Sequence, residues 1–177
     1  MKRTSLFALV LLMTAAAALA DSTEQQRALT LTSLMRTDEL LVNAAKDGIR
    51  RAHSEGKISA QARRCAEQID RAPFTALVVK VFAERLTAQE LETAIEFYRT
   101  EAGKKYTRYQ FDHMDGKPAG RFTTGEEMRL NQFGQTKFGR QLLTSSIFEG
   151  VEEIRTITAT AINDSIVKCG EPAAPGE

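Results

Sequence analysis

The sequence predicts an all-α protein, a compact orthogonal bundle of about six to eight helices, and three observations support this fold class. Apolar residues recur every three or four positions along most of the chain, which is the period of an amphipathic helix. Capping signatures mark several helix starts. Alternating apolar and polar runs between tight turns, which would indicate strands, are largely missing.

The first twenty residues predict a secretory signal peptide. Lys2 and Arg3 give a positive start, an apolar or small-residue run covers residues 6–20, and Ala18-Leu19-Ala20 has the small side chains that a signal peptidase accommodates. An uncleaved amphipathic or membrane-anchoring helix is the alternative. We therefore expect a signal peptide over residues 1–20, cleavage near Ala20-Asp21, and a periplasmic or secreted product.

The rest of the chain is expected to form a single helical domain over residues 21–170 and a disordered tail over residues 171–177. No later segment reaches the roughly 20 apolar residues that a transmembrane helix needs. Two of the 24 basic side chains lie in the signal peptide, so 22 remain against 23 acidic ones. This balance gives no electrostatic reason to expect nucleic acid or an anionic membrane as a partner.

Cys65 and Cys169 are the two cysteines of the chain, and both lie in the exported part. Thiols tend to be oxidised outside the cytoplasm, so the sequence predicts one disulfide between them. It would close a loop of about 100 residues, for which a chain-entropy model gives up to about 4.7 kcal/mol of stabilisation. Two free buried thiols are the first alternative, and a metal-binding pair without nearby histidines is the second.

The first two helices are predicted from apolar stripes. The first covers about residues 23–35. Its cap is Ser22 or Thr23, and its apolar side is formed by Leu31, Leu34 and Met35. The second covers about residues 37–51, and its predicted buried residues are Leu40, Leu41, Ala44, Ala45 and Ile49.

Two further helix starts follow. Ser59 opens a third helix, on which Cys65 faces inward at helical spacing from its apolar neighbours. Pro73 permits a new start, because the first turn of a helix does not need the missing amide hydrogen. Residues 74–82 are apolar on most sides and predict a central helix, with a short strand as the alternative.

The stretch from Leu86 to Leu91 is a complete helix-start signature. Thr87 caps the backbone amide of Glu90, Glu90 reaches back to Thr87, and Leu86 packs on Leu91. Thr100 predicts another cap, with Gly103 at the third helical position of a helix that continues to about His113.

The C-terminal third begins with a loop over residues 114–120, which is indicated by its Gly and Pro content. Thr124, three residues before Glu127, repeats the capping pattern. A last helix is predicted over about residues 145–168, ending at Cys169, with one face formed by Ile147, Val151, Ile154, Thr158, Ala161 and Ile162.

The pattern F-x-x-T-x-x-G-[KR] occurs twice and predicts a helix-corner-helix unit used twice. Aligning Thr87 with Thr124 requires a gap of one residue before the later positions match. The matched pairs are Phe97 with Phe133, Thr100 with Thr136, and Gly103 with Gly139. The phenylalanine anchors a helix end, the threonine restarts the chain, and the glycine permits close approach. Chance similarity between two amphipathic segments is the alternative.

The first copy also carries a family resemblance. The stretch LTAQELETAIEFYRTEAGKKY resembles the bacterial exported family called domain of unknown function 2059. The residues that carry the resemblance are Thr87, Glu90, Leu91, Phe97, Tyr98, Thr100, Gly103 and Lys104. Members of the family commonly have Pro after the Ser or Thr, where this chain has Glu101. The resemblance implies an exported helical domain and no established activity.

Catalysis and metal binding have weak support in the sequence. Asp112, His113 and Asp115 come closest to a metal-ligand set, but a polar helix end is the simpler interpretation, and we predict no metal and no cofactor. Zincin, nucleophile-elbow and phosphate-loop motifs do not occur. An enzyme would need at least two of four side chains to lie together in one cleft. These four are Tyr98, His113, Glu90 and Arg99.

The leading prediction is a non-catalytic binding module of the cell envelope. Its three tyrosines fall within twelve positions and alternate with basic residues, so we predict contact with another envelope protein, or with a second copy, through Tyr98, Arg99, Lys104 and Tyr106. One alternative is that these residues form an ordinary helix face in contact with solvent. A carrier of a small apolar ligand, lined by residues 74–97, is the other.

Overall fold

The computed structural model describes residues 23–118 and 120–169, and over these ranges the chain is helical with no strand. The all-α prediction is confirmed, with slightly more helices than expected, while the orthogonal crossing of the helices stays a prediction. The predicted signal peptide and tail lie outside the described residues. The nine α-helices and one short 3-10 helix of the described part are α1 (residues 23–35), α2 (Thr37–Ser54), α3 (Ala60–Ala66), α4 (Ala72–Arg85), α5 (Ala88–Arg99), α6 (Glu101–Met114), α7 (Thr124–Gln135), α8 (Lys137–Leu143), the 3-10 helix Ser146–Phe148 and α9 (Glu153–Lys168).

The N-terminal helices begin where the sequence predicts. The Ser59 side chain accepts a hydrogen bond from the amide of Ala62 at 3.0 Å, and Pro73 lies in the first turn of α4. The residues of α4 that are buried recur at helical spacing, which excludes the strand alternative: Phe74, Leu77, Val78, Val81 and Phe82.

The core consists of two hydrophobic clusters. The larger one joins α1, α4 and α5 with parts of α6, α7 and α8, and the smaller one joins α2, α3, the start of α4 and α9. Leu41 and Ile157 pack against both clusters. The two clusters therefore share a boundary beneath α2 and α9.

The predicted disulfide is confirmed. Cys65 on α3 and Cys169 after α9 are bonded, with 5.8 Å between their Cα atoms and a sequence separation of 104 residues. The bond ties the end of α9 to the smaller core cluster, in which Cys65 is buried. A disulfide agrees with folding in an oxidising compartment.

The helix start at Thr87 is a capping box, as predicted. The amide of Glu90 donates to Thr87 Oγ1 at 3.3 Å, and the amide of Thr87 donates to Glu90 Oε2 at 2.8 Å. Leu86 and Leu91 are both buried in the larger cluster, at the positions of a hydrophobic staple.

The corner between α5 and α6 is closed around one carbonyl. Phe97 O accepts hydrogen bonds from the amide of Thr100 at 3.0 Å and from its hydroxyl at 2.7 Å. Thr100 Oγ1 in turn accepts from the amide of Gly103 at 3.2 Å. A Cβ on Gly103 would lie 2.3 Å from Phe97 O, so the close-approach role predicted for this glycine is confirmed.

The corner between α7 and α8 has the same bonds. Phe133 O accepts from the amide of Thr136 at 3.1 Å and from its hydroxyl at 2.7 Å, and Thr136 Oγ1 accepts from Gly139 N at 3.0 Å. A Cβ on Gly139 would lie 2.1 Å from Phe133 O. The rings of Phe97 and Phe133 are stacked with centroids 4.0 Å apart, so the two corners meet in the larger cluster.

The predicted cap at Thr124 was wrong by one residue. Thr123 caps α7, its amide donates to Glu126 Oε2 at 2.7 Å, and Thr124 is the first helical residue. The doublets Thr123-Thr124 and Glu126-Glu127 allow either register, which the pattern alone does not separate. In the correct register each matched pair is separated by 36 residues with no gap, although a duplication of the unit stays a prediction.

The last predicted helix was too long at its start. Ser145 has a left-handed backbone with φ 59°, a 3-10 helix follows, and Gly150 has φ 73°, so α9 begins only at Glu153. Arg85 Nη1 donates to the carbonyls of Ile147 at 2.7 Å and Glu149 at 2.9 Å. Two left-handed residues and these carbonyl contacts replace the expected first turns.

None of the helices within the described ranges has the length and apolar character to cross a bilayer.

Candidate functional site: a cleft between α2 and α6

A cleft of about 410 Å³ separates α2 from α6, a volume typical of ligand sites. Each helix contributes one face, at the i, i+3, i+4, i+7 spacing that brings side chains into one row. The lining residues are Thr37, Leu40, Leu41 and Ala44 from α2, Tyr106, Tyr109, Gln110, His113 and Met114 from α6, and Ser145 and Phe148. The walls are therefore mainly aliphatic and aromatic.

Two polar atoms in this lining are buried without a partner. Thr37 Oγ1 and Gln110 Oε1 make no hydrogen bond within the described part of the chain, and Thr37 is only 6% exposed. Buried polar groups are nearly always paired, and an unpaired one costs about 1–3 kcal/mol. The hydrogen bonding of the side chains beside the cleft is therefore incomplete at these two atoms.

The α6 wall is held by its own contacts. Tyr106 Oη donates to the carbonyl of Leu143 at 2.5 Å, which fixes the ring at the edge of the cleft. Burial raises the pKa of Tyr106, while the neighbouring Gln110 side chain opposes that shift. The rings of Tyr109 and His113 are parallel to within 2°, with centroids 6.3 Å apart. The wall is thus an ordered row of rings.

An ion pair with a buried carboxylate and a half-exposed guanidinium group fixes the α2 wall. Asp38 follows Thr37 in the first turn of α2 and accepts from Arg71 at 2.7 and 2.8 Å and from Thr75 at 2.6 Å. Burial alone would raise the pKa of Asp38. The hydrogen bonds from Arg71 and Thr75, together with the positive charge of Arg71, outweigh the effect of burial, so the pKa of Asp38 lies below its usual value. The start of α2 is therefore tied to α4, which positions Thr37.

The four predicted binding residues do not form one surface. Tyr98 is only 1% exposed and lies in the larger core cluster, edge-on to Phe97 and Phe133. Its predicted place on a binding surface was wrong, because its position on α5 faces inward beside the stacked phenylalanines. Burial raises the pKa of its hydroxyl far above the usual range.

Of the other three residues, Arg99 and Lys104 lie beside one groove, because Glu101 lines that groove with Arg99 and pairs with Lys104, whereas Tyr106 lies elsewhere. Arg99 lines a separate groove of about 620 Å³ at the starts of α6 and α7, which also holds Met128 and Arg129. Lys104 is exposed and pairs with Glu101 at 2.8 Å, whereas Tyr106 lines the cleft between α2 and α6. Partner contact through Arg99 and Lys104 stays a prediction.

The predicted lining of an apolar ligand site, residues 74–97, differs from the lining of this cleft. Leu77, Val78 and Phe82 of α4 are buried in the larger cluster and do not line the cleft between α2 and α6. Conversely, Ala44 is exposed and Leu40 is half-buried, although both were expected in the core. They line the cleft because α2 and α6 are not among the closely packed helix pairs.

The residues considered for metal binding and catalysis lie apart. Glu90 is engaged in the capping box, Tyr98 is in the core, and His113 lines the cleft, so the proposed catalytic set does not share one cleft. Asp115 pairs with Lys117 at 2.6 Å. Across the described ranges, no group of three or more His, Cys, Asp or Glu side chains is placed to hold a metal ion.

Sequence reasoning missed Thr37, Gln110 and Phe148 as site residues. The available signal was a polar side chain within an otherwise apolar helix face: Thr37 precedes Leu40 and Leu41 on α2, and Gln110 lies among the rings of α6. Such a pattern marks a candidate site only once the facing helix is known.

The comparisons with known proteins bear on the family and not on an activity. No curated protein and no solved structure matches the chain. Residues 72–110, which contain α4, α5 and most of α6, match a family model. Tyr106, Tyr109 and Gln110 of the cleft lie inside the matched segment, whereas the α2 wall lies outside it. The resemblance predicted from residues 86–106 is thereby confirmed, and residues 72–110 carry the pattern of the family described as uncharacterized protein conserved in bacteria (DUF2059).

Proposed function

We propose that this protein is an exported, non-catalytic binding domain that holds a small, largely apolar ligand in the cleft between α2 and α6. The proposal is carried by the apolar cleft, whose lining includes the two polar side chains Thr37 and Gln110, each with a covered oxygen atom that has no partner in the described structure, Oγ1 and Oε1 respectively. Ligand sites combine apolar walls with a few polar groups that fix orientation.

The chemistry of these two side chains, which a ligand would reach once they rotate toward the cleft, describes the ligand. Gln110 Oε1 accepts a hydrogen bond, and the Thr37 hydroxyl can donate or accept one. Tyr106, Tyr109 and Phe148 supply flat apolar surface on either side. A ligand with one polar end group, or one polar group on a hydrocarbon frame, would complement both features.

A binding role is supported over catalysis by the residues of the cleft. None of the side chains that line it in the described structure is acidic, and His113 is the single imidazole among them. A nucleophile or general base needs a second group to activate or orient it. Export is supported by the predicted signal peptide and by the disulfide between Cys65 and Cys169.

Filling the cleft tests the proposal. The chain has no tryptophan, and Ala44 is exposed at the cleft wall, so Ala44→Trp adds bulk there without disturbing the core. We expect an uncharged, environment-sensitive naphthalene dye to bind the oxidised mature chain, and to bind Ala44→Trp at least about tenfold more weakly, a loss of about 1.4 kcal/mol. Fluorescence titration measures both.

Ala159→Trp is the matched control, because Ala159 is also an exposed helical alanine, on α9, and does not line the cleft. It should bind the dye as the unmodified chain does. Equal dye affinity of Ala44→Trp and Ala159→Trp would place the ligand elsewhere and refute the proposal. Native mass spectrometry of the protein purified from its exported compartment then identifies any ligand that remains bound.

Contact with another envelope protein or with a second copy, through Arg99 and Lys104, remains a separate prediction. Alanine at both positions should weaken capture of such a partner while leaving dye binding unchanged, because neither residue lines the cleft. Unchanged capture would exclude that surface.

A further inference from the structure

A groove of about 620 Å³, separate from the cleft, lies between the start of α6 and the start of α7. The end of α5 and the first residues of α6 contribute one part of its lining, and the first two turns of α7 contribute the other. The lining residues are Arg99, Thr100, Glu101, Ala102, Thr123, Gly125, Glu126, Met128 and Arg129. None of them lines the cleft between α2 and α6, so the two sites are independent.

The acidic side chains of the groove are paired with lysines of α6. Lys104 bonds Glu101 at 2.8 Å, and Lys105 bonds Glu126 at 2.7 Å. The hydrogen bonds from these lysines hold the pKa of each carboxyl group below its usual 4.5, so both pairs are charged at neutral pH. Each negative charge of the groove is thus balanced by a neighbouring cation.

The two arginines of the groove have no such partner. Arg99 and Arg129 are exposed, and neither side chain forms an ion pair or a hydrogen bond within the described part of the chain. The groove and its two paired lysines together have four cationic and two anionic side chains, a net charge of +2. Two guanidinium groups, each able to bind a carboxylate through two parallel hydrogen bonds, are therefore free to bind an anionic partner.

Met128 adds an apolar contact beside these cations. It is 58% exposed, more than any other large apolar side chain that the structure describes. A methionine adapts to differently shaped apolar partners, because it is unbranched and polarisable. Methionine and arginine are both enriched where proteins bind proteins, whereas an inorganic anion would gain nothing from Met128. The combination therefore favours a protein segment over a small anion.

We propose that this groove binds an acidic segment of another protein, in which two carboxylates pair with Arg99 and Arg129 and an apolar side chain packs against Met128. Recognition of acidic motifs by clustered arginines is a recurring mode of binding. The two arginines belong to different helices, so they suit carboxylates on separate side chains of one segment. The inference goes beyond the ligand cleft, and it gives Arg129 the binding role that Lys104, already paired with Glu101, does not fill.

Fluorescence anisotropy with defined peptides tests the charge and the apolar contact. The probe is a tetramethylrhodamine-labelled peptide, Gly-Glu-Glu-Leu-Glu-Glu-Gly, titrated with the oxidised mature chain at low ionic strength, where screening is weakest. We expect it to bind at least about fivefold more tightly than the same peptide with glutamine in place of every glutamate. It should bind about twofold more tightly than the peptide with alanine in place of leucine.

Variants of the groove locate the binding. Arg99→Gln and Arg129→Gln should each weaken binding of the acidic peptide by about two- to fivefold. Arg155→Gln is the matched control, because it removes the same charge from an exposed position on α9 that lines neither the groove nor the cleft, and it should leave the affinity nearly unchanged. Met128→Ser should remove the preference for leucine and keep the preference for glutamate.

Three results would each overturn the proposal: no binding of the acidic peptide, equal binding of the acidic and glutamine peptides, or equal losses at Arg99, Arg129 and Arg155. Displacement of the probe by inorganic phosphate at a lower concentration than by the unlabelled acidic peptide would overturn it as well, in favour of a small-anion site. Dye binding in the cleft is measured separately, so any of these results leaves the proposed function standing.

Discussion

The corner between α5 and α6 and the corner between α7 and α8 make the same local bonds in different surroundings. Each begins with a Thr–Glu capping box and turns at a threonine that closes on a phenylalanine carbonyl. Yet α5 buries five residues, whereas α7 buries Phe133 alone. The bonds that shape a corner are therefore independent of how deeply its helix is buried.

The difference comes from the residues between the shared positions. Leu91, Ala94 and Ile95 of α5 are buried, and the residues 36 positions later are Glu127, Leu130 and Asn131, which are exposed or half-buried. The family match covers the first corner and ends before the second. One backbone arrangement thus serves both a central helix and a peripheral one, depending on which side chains its outer face carries.

The glycines should separate the two corners most strongly. Gly103→Ala would place a Cβ 2.3 Å from Phe97 O and 2.5 Å from Tyr98 Cα, and both obstacles are backbone atoms in the core. We expect a loss of about 3 kcal/mol or more of unfolding free energy. Gly139→Ala meets a similar clash at 2.1 Å from Phe133 O, but α8 has only seven residues and buries only Gly139 and Leu142, so we expect it to adjust at a smaller loss of about 1–2 kcal/mol.

Urea unfolding of the oxidised protein, followed by circular dichroism, measures both losses. Gly48→Ala is the matched control, because it lies inside α2 with no atom within 4 Å of the place that the added methyl group would take, and it should gain up to about 1 kcal/mol from helix propensity. Equal losses at Gly103 and Gly139 would show that the peripheral corner is as rigid as the central one.

The features that sequence predicts well in this protein are local ones. Thr87 with Glu90, Thr100 with Gly103, and Ser59 each satisfy helix amides within three residues, so their roles do not depend on distant parts of the chain. The disulfide was predictable because the chain has two cysteines. Where two local registers compete, as at Thr123 and Thr124, the pattern no longer decides.

The candidate site was less predictable because it depends on distant segments. Tyr106, Tyr109 and His113 follow from the spacing on α6, but their facing wall on α2 lies about 70 residues away in sequence. Tyr98 lies among charged residues in the sequence, and its burial follows from the meeting of Phe97 with Phe133. Packing between distant segments thus determines both the cleft and the core position of Tyr98.

The capping threonines should give smaller and nearly equal effects at the two corners. Thr87→Ala and Thr123→Ala each remove one side-chain acceptor for a helix amide, at 3.3 Å in both cases. We expect a loss of about 1 kcal/mol for each, measured by the same urea unfolding. Thr124→Ala is the control, because Thr124 is the first helical residue and does not cap. A much larger loss at Thr87 than at Thr123 would mean that the energy of a cap follows burial.

The smallest expected effect concerns the ion pair that joins the two corners. Lys105 of α6 bonds Glu126 of α7 at 2.7 Å, across the step from one unit to the next. The hydrogen bond from Lys105, followed by that from the amide of Thr123, holds the pKa of Glu126 below its usual 4.5. The ionised form therefore stabilises the fold, fully at pH above about 4.5, and this contribution is lost as the pH falls through the lowered pKa.

Comparing the unfolding free energies of the unmodified chain and Glu126→Gln between pH 7 and pH 3 measures this contribution. The difference should be largest at neutral pH, shrink in acid, and decrease with added salt, because the pair is near the surface. Lys105→Met keeps the capping box and should remove only part of the pH dependence, since the Thr123 amide still bonds the carboxylate. If Lys105→Met retained the full pH dependence, the Lys105–Glu126 ion pair would add nothing to stability. The contact between the two corners would then depend on the stacked rings of Phe97 and Phe133.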